Sequence, residues 1–275
     1  MNWVIGIALL AIVGYLLDRE IYFYEGVHLG PRVQAWLYDR WARKYDEGKR
    51  ESQQRDDEML AQPLLDALRG VPTPFVLDFA TGTGRLSYAL TSRPEFNGHI
   101  VALDLSQGML EQAAAKLAGL AEGCVEFLRR QSLPLPFPDA SFDAVCALEV
   151  LELFPSMEEP LAEFARVLRP GGILLTSRGT EESGRRAKVK SEAVFRSLLE
   201  AKGFENVQIA KWWKLFDRVL AVKAGRSEPV KHRSLAEALK CPACREIRWE
   251  AAPGALRCEG CGKSLPVTEQ GIVLG

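Results

Sequence analysis

Val76-Leu77-Asp78-Phe79-Ala80-Thr81-Gly82-Thr83-Gly84 is the stretch on which the fold turns. A short apolar run enters two glycines and leaves as the amphipathic segment Arg85-Leu86-Ser87-Tyr88, so a strand feeds a helix through a bend. Missing side chains at Gly82 and Gly84 let a ligand lie against the backbone. The exposed N–H groups at the helix start favour a carboxylate or phosphate. The second signal is Asp104, twenty residues after Gly84 at the close of the next apolar run. A carboxylate there can accept both hydroxyls of an adenosine ribose, so the pair implies an adenosyl cofactor.

Outward from that loop, β-rich runs alternate with amphipathic helical ones. Strands are predicted at 75–79, 99–104, 124–128, 142–148 and 172–177, helices at 84–90, 107–120, 158–168 and 192–201, and a last strand pair at 207–212 and 218–224. The alternation predicts an α/β class: a Rossmann-like doubly wound sheet, with strands joined by crossover helices. Upstream, about 30–68, Trp36, Leu37, Trp41 and Tyr45 recur at helical spacing and predict a helical cap.

Two cofactor classes share the glycine logic. A dinucleotide site prefers a third glycine where this chain has Ser87, and it cradles a diphosphate. Asp78 instead offers a negative group that suits an ammonium and repels a diphosphate, so S-adenosyl-L-methionine is expected over a nicotinamide or flavin dinucleotide.

The stretches VLDFATGTGRLSYAL, ALDLSQGMLEQA, LPLPFPDASFDAVCALEVLELF and LAEFARVLRPGGILL resemble, in order and spacing, the class I S-adenosylmethionine methyltransferases that modify quinones and other small molecules. The resemblance covers about residues 71–224. It implies that Asp78, Gly82 and Gly84 hold the methionyl end of the donor, that Asp104 holds its ribose and that Met109 packs on adenine. Gln131 stands where that family often has an Asp receiving the adenine amine, and an amide oxygen can accept the same hydrogen. Glu152-Leu153 replaces the family's Glu-His pair after the fourth strand, which removes a histidine base from that position.

A sulfonium methyl is already electrophilic, so the protein must chiefly align donor and nucleophile and exclude water. Glu149 and Glu152, three residues apart after the fourth strand, are the candidate catalytic carboxylates facing the acceptor; the plainer reading is that both are solvated or helix-terminal. Arg178 and Tyr45 are weaker candidates for orienting acceptor or donor. Leu148-Glu149-Val150-Leu151 lacks the Asn/Asp-Pro-Pro-aromatic turn used on planar amino groups, which disfavours a nucleic-acid base amine or a protein glutamine. A small or lipid-soluble acceptor is expected. The alternatives are an RNA or protein methyltransferase and a non-catalytic donor-binding scaffold. The run Arg185, Arg186, Lys188, Lys190 reads as a solvated loop or a phosphate contact.

Cys241-Pro-Ala-Cys244 and Cys258-Glu-Gly-Cys261-Gly are two knuckles that supply four thiolates, which points to a structural metal, zinc before rubredoxin-like iron. Some forty residues cannot bury enough apolar surface to fold unaided, so the metal would supply stability. Residues 235–275 resemble the small zinc-ribbon family that binds and activates tRNA, rRNA and release-factor methyltransferases by pairing a strand with the partner's sheet. That implies an intramolecular contact between ribbon and methyltransferase domain.

From Met1 to Leu17 there is no charge, with Trp3 at one end and Tyr15, Tyr22, Phe23 and Tyr24 at the other, so residues 1–24 are expected to anchor the chain in a membrane as a single pass. Arg19, Arg32, Arg40, Arg43 and Lys44 follow the segment, which would put the catalytic domain in the cytoplasm. The expected order is thus anchor 1–24, helical cap 25–70, donor-binding domain 71–224, linker 225–234 and ribbon 235–275. The 275 residues carry 35 Lys+Arg against 36 Asp+Glu, so no global field draws a polyanion, and 47% hydrophobic content excludes a disordered chain. The six cysteines are too few and too clustered for a secreted disulfide scaffold.

Overall fold

A computed structural model describes residues 2–120, 123–130, 133–183 and 189–275. The helices in chain order are α1 (Asn2–Asp18), α2 (Pro31–Gln53), α3 (Gln62–Ala67), α4 (Arg85–Thr91), α5 (Gln107–Leu117), α6 (Glu158–Val167) and α7 (Glu192–Ala201). The first five strands are β1 (Phe75–Phe79), β2 (His99–Asp104), β3 (Val125–Arg129), β4 (Phe142–Ala147) and β5 (Leu168–Gly179). They are followed by β6 (Phe204–Lys211), β7 (Phe216–Lys223), β8 (Trp249–Ala252), β9 (Ala255–Cys258), β10 (Ser264–Pro266) and β11 (Ile272–Leu274).

Every residue of β1 and β4 is buried, as in central strands covered by helices on both faces. The main sheet runs β11-β3-β2-β1-β4-β5-β7-β6, with β7 antiparallel to both neighbours and the other pairs parallel. The chain leaves β1 for β2 on one side, and β4 lies on the other. The carboxyl ends of these three strands therefore open a crevice at the point where the strand order reverses. The α/β, Rossmann-like expectation holds, with a mixed rather than wholly parallel sheet.

Most element boundaries fall within a few residues of the sequence reading. The main exception is β5, which begins at Leu168 and absorbs Pro170-Gly171-Gly172 instead of ending a helix there. A register shift against β4 between Phe142 and Ala144 accommodates the extra residues. Gly172 is required at that bulge, because a Cβ would come within 2.9 Å of the Arg169 carbonyl oxygen and 3.0 Å of that of Asp143. In α2, Leu37 is buried but Trp36 is 55% exposed, since adjacent residues point about 100° apart on a helix.

The cysteine-bearing segment forms a three-stranded antiparallel sheet, β10-β9-β8, and sends β11 into the main sheet beside β3. Leu235, Ala238, Leu239, Leu265 and Val273 join the same hydrophobic core as β1 and β4. Two backbone N–H groups seal the junction: Leu235 N donates to the Glu126 side-chain Oε2 at 2.5 Å and Lys240 N to the Pro136 carbonyl at 2.8 Å.

The single-pass membrane placement does not hold. None of the helices among the described residues is long and apolar enough to cross a membrane. The α1 helix has 17 residues, or about 25 Å at 1.5 Å per residue, and gives way to a π-helical turn at Arg19–Phe23. The cytoplasmic orientation inferred from it falls with it.

Asp143 is a buried tie between layers. Its Oδ2 accepts the Phe75 N–H at 3.0 Å, while Oδ1 accepts Arg169 Nε at 2.6 Å and Val230 N at 3.1 Å, so β1, β4, β5 and residue 230 share one carboxylate. Replacing it by Ala strands the buried Arg169 guanidinium. Urea denaturation of Asp143→Ala should show a loss of about 3 kcal/mol or more, and an unchanged midpoint would contradict the tie.

Candidate active site

The loop between β1 and α4 owes its shape to backbone bonds and positive φ. Thr81 N donates to the Leu103 carbonyl at 3.0 Å and Gly84 N to that of Thr81 at 3.0 Å. Gly82 and Gly84 sit at φ +55° and +74°. At Gly84 a side chain would also be crowded, since its Cβ would lie 3.0 Å from Ala113 Cβ in α5.

Asp104, at the end of β2, joins this loop to α5. Its Oδ2 accepts Gly82 N at 2.9 Å and its Oδ1 accepts Ser106 N at 2.8 Å, and it borders a cavity of about 340 Å³. Burial pushes its pKa up to about 6 against the pull of these N–H donors. Gly82, Leu105 and Met109 line the same cavity.

Of the expected donor-site residues, the cavity therefore brings together Gly82, Asp104 and Met109. Asp78 lies beneath the loop: its Oδ2 accepts the hydroxyls of Thr81 and Ser87, each at 2.7 Å. Gly84 packs on α5. Gln131 lies outside the described residues, as do Arg185, Arg186 and Lys188.

The α2 helix closes the cavity with Tyr38 and Tyr45. Burial raises both phenol pKa values, so both rings are neutral hydroxyl carriers, and Tyr38 Oη donates to Glu25. Polar contacts hold α2 down. Asp39 Oδ1 accepts Ser106 Oγ at 2.6 Å and Gly108 N at 2.8 Å, and Asp46 takes Thr83 Oγ1 at 2.5 Å and Lys116 Nζ at 2.7 Å. Next, Lys49 pairs with Glu149. Arg85 then bridges Glu149, at 3.0 Å, and Asp56, which takes two bonds at 2.6 and 2.7 Å. Sequence reasoning missed Asp39, Asp46, Lys49, Arg85 and Asp56. For Asp39, Asp46 and Lys49 the trace is an acidic and basic face on α2 that reads equally as solvated, and Asp56 and Arg85, outside α2, carry no signal of pairing in the sequence.

Glu149 borders the cavity at φ +54°, with its N–H on Ser177 Oγ at 2.7 Å and its two oxygens on Lys49 and Arg85. Such a left-handed conformation in a non-glycine residue costs energy and persists only where neighbours fix it. Glu152 does not border the cavity. It is 3% exposed, its Oε1 accepts Gly179 N at 2.7 Å, its Oε2 has no partner among the described residues, and burial pushes its pKa up to about 7. Arg178 is held by Asp217 and the Lys190 carbonyl, away from the cavity. Val150, Leu153, Phe154 and Pro155, with Val27 and Pro31, give the wall beyond β4 an apolar character.

The thiols of Cys241, Cys244, Cys258 and Cys261 converge, with all four Sγ atoms within 4.8 Å of one another. Sγ–Sγ separations of 3.6 Å for Cys241–Cys261 and 3.5 Å for Cys244–Cys258 fit the edges of a tetrahedral thiolate site.

A family model described as "Methyltransferase domain" matches residues 77–176. A demethylmenaquinone methyltransferase of Clavibacter sepedonicus is 35% identical over 145 residues, which are 53% of this chain and 57% of that one. The chain spans about half the length of the curated relatives it matches. Among solved structures, a SAM-dependent methyltransferase from Aquifex aeolicus aligns with TM-score 0.54 at 21% identity, over 68% of this chain and 98% of that one. A chain of the complex between the Haloferax volcanii Trm112 methyltransferase activator and a putative methyltransferase aligns with TM-score 0.51 at 21% identity, with the same coverages of 68% and 98%. The structural likenesses establish the fold. The family match extends over residues 77–176, which therefore match a methyltransferase domain.

The raised pKa of Asp104 has two opposite consequences. For the free protein, ionisation is penalised in the fold, so this group's contribution to stability is present below its unfolded pKa near 4 and lost as pH rises through about 6. A ribose held by this carboxylate would gain affinity over the same interval. Calorimetry with S-adenosylhomocysteine should show affinity falling several-fold from pH 7.5 to 5.0, and a flat profile in Asp104→Asn.

Proposed function

We propose that this chain transfers the methyl group of S-adenosylmethionine to a ring carbon of a small aromatic acceptor of the hydroquinone type. The observation that carries the reading is the division of one cavity wall. Asp104 and Gly82 on the β1–β2 side offer a carboxylate and bare backbone, whereas Leu153, Phe154 and Pro155 beyond β4 offer an apolar face. The curated relatives named as demethylmenaquinone methyltransferases support the acceptor class.

In this reading Asp104 receives the ribose hydroxyls, Met109 and Leu105 flank the adenine, and the Gly82 backbone with Tyr45 borders the methionyl end. The donor, when bound, would supply a methyl group that needs no further activation and leave as S-adenosylhomocysteine, while the hydrogen of the methylated ring carbon is lost as a proton that passes finally to solvent. Asp78 shapes the loop from beneath through Thr81 and Ser87. Tyr38 and Tyr45, held by the α2 contacts, keep water out, which strengthens every electrostatic contact inside. Glu149 is the carboxylate presented to the acceptor; its contacts with Lys49 and Arg85 fix its direction, and it orients an acceptor hydroxyl. Glu152 acts as a positioning residue that binds the acceptor-side turn to β5 through Gly179.

Incubation with tritiated donor and a short-chain hydroquinone should put label in the organic phase. Label in RNA or protein instead would overturn the acceptor assignment. Glu149→Gln should lower kcat at least about 10-fold through lost orientation. Glu152→Gln keeps an oxygen for Gly179 and should change kcat less than about threefold.

The four-cysteine site fits zinc as a structural ion: Cys241, Cys244, Cys258 and Cys261 would fill a tetrahedron and leave no open position. The ribbon then supports the methyltransferase domain in cis through β11. Elemental analysis should find one zinc per chain, and Cys258→Ser should lower both the metal content and the melting temperature. Iron with visible thiolate absorption would contradict zinc.

A further inference from the structure

A second compartment adjoins the donor cavity and has no part in the function proposed above. It is a polar groove of about 550 Å³ walled by Arg32, Trp36 and Asp39 of α2, Leu105, Arg129, Arg130 and the end of β11. Pro31, Gln34 and Tyr38 of α2 face the cavity, and Arg32, Ala35, Trp36 and Asp39 face the groove, so the helix separates the two. Leu105 and Arg130 border both.

The charges in the groove are not balanced. No ion pair among the described residues includes Arg32, Arg129 or Arg130, whereas Arg85, Arg93, Arg166, Arg169 and Arg178 each have a carboxylate. Among the described residues the Arg129 side chain has only long contacts, 3.5 Å to the Leu105 carbonyl and 3.4 Å to Gln107. The Nε of Arg130 is buried with no partner among the described residues, and burial together with Arg245 opposes its charge. Asp39 is the side-chain carboxylate on this wall, and its Oδ1 is already taken by Ser106 and Gly108; with the Gly275 carboxylate beside it, two negative groups face three guanidinium groups. Guanidinium forks left free around a polar hollow match the planar oxygens of carboxylates and phosphates.

We infer that this groove is an anion site that takes the carboxylate or phosphate of a ligand, carried either by the acceptor itself or by a separate small anion. The acceptor branch rests on the methyl-transfer reading of the adjoining cavity; the groove's affinity for anions does not.

Calorimetry on the full chain saturated with S-adenosylhomocysteine tests it, with inorganic phosphate and 2-naphthoate as probes and 2-naphthol as the acid-free control. Saturable phosphate binding is expected. It should weaken at least about 10-fold in Arg32→Gln/Arg129→Gln, while Arg32→Lys/Arg129→Lys, which keeps the charge, loses less. Melting temperatures and S-adenosylhomocysteine affinity should stay within error and within about twofold, since neither residue borders the donor cavity. Naphthoate displaced by phosphate, with naphthol inert, assigns the acid to a ring-bearing ligand. Phosphate binding that naphthoate does not compete assigns it to a separate anion. No saturable heat from either anion, or heat unchanged in the Gln variant, overturns the site. Phosphate binding that the variant abolishes in a chain giving no heat with S-adenosylhomocysteine would keep the site and defeat the methyl-transfer reading.

Discussion

The Asp104 carboxylate, held by one N–H from Gly82 and one from Ser106, is the contact on which the active region is built. It closes the β1 loop onto the end of β2 and fixes the start of α5. Each oxygen spends one lone-pair direction on the backbone and keeps another for a ligand. A carboxylate buried to this degree is costly without such donors. The protein therefore maintains a buried, partly satisfied acid at the mouth of a crevice, as expected where binding completes a hydrogen-bond set.

The second constraint is the clamping of α2 by groups on the donor loops themselves. Asp39 reaches the start of α5, Asp46 reaches Thr83, and Lys49 meets Arg85 at Glu149. Whatever shifts Gly82 or Asp104 is thereby felt at Tyr38 and Tyr45, which cover the cavity. Each pair alone is worth little, but half-buried pairs sharing Glu149 and Arg85 act as a network.

What the sequence disclosed and what it hid divide by range. The β1 loop, Asp104 and the paired cysteines announce themselves through short spacings, because turn chemistry and metal geometry are local. The inward turn of Asp78 was hidden, since it depends on which hydroxyls, Thr81 and Ser87, fold over it. The clamps from Asp39 and Asp46 were hidden too, because helix periodicity does not tell a carboxylate facing water from one facing another helix. The separation of Glu149 from Glu152 follows from a single left-handed residue, which places one at the cavity and the other behind β5. At the amino end, apolar composition outran length, and composition alone overcounted a helix that stops at 17 residues. The strand β11 is three residues long, too short for periodicity to mark, yet it carries the carboxyl-terminal segment into the main sheet.

The account stands or falls on whether the Asp104 crevice takes the adenosyl donor. Isothermal titration of the metal-loaded full chain with S-adenosylhomocysteine should give saturable one-to-one heat that Asp104→Ala abolishes, and no heat with a nicotinamide dinucleotide. Heat from the dinucleotide and none from S-adenosylhomocysteine would contradict it.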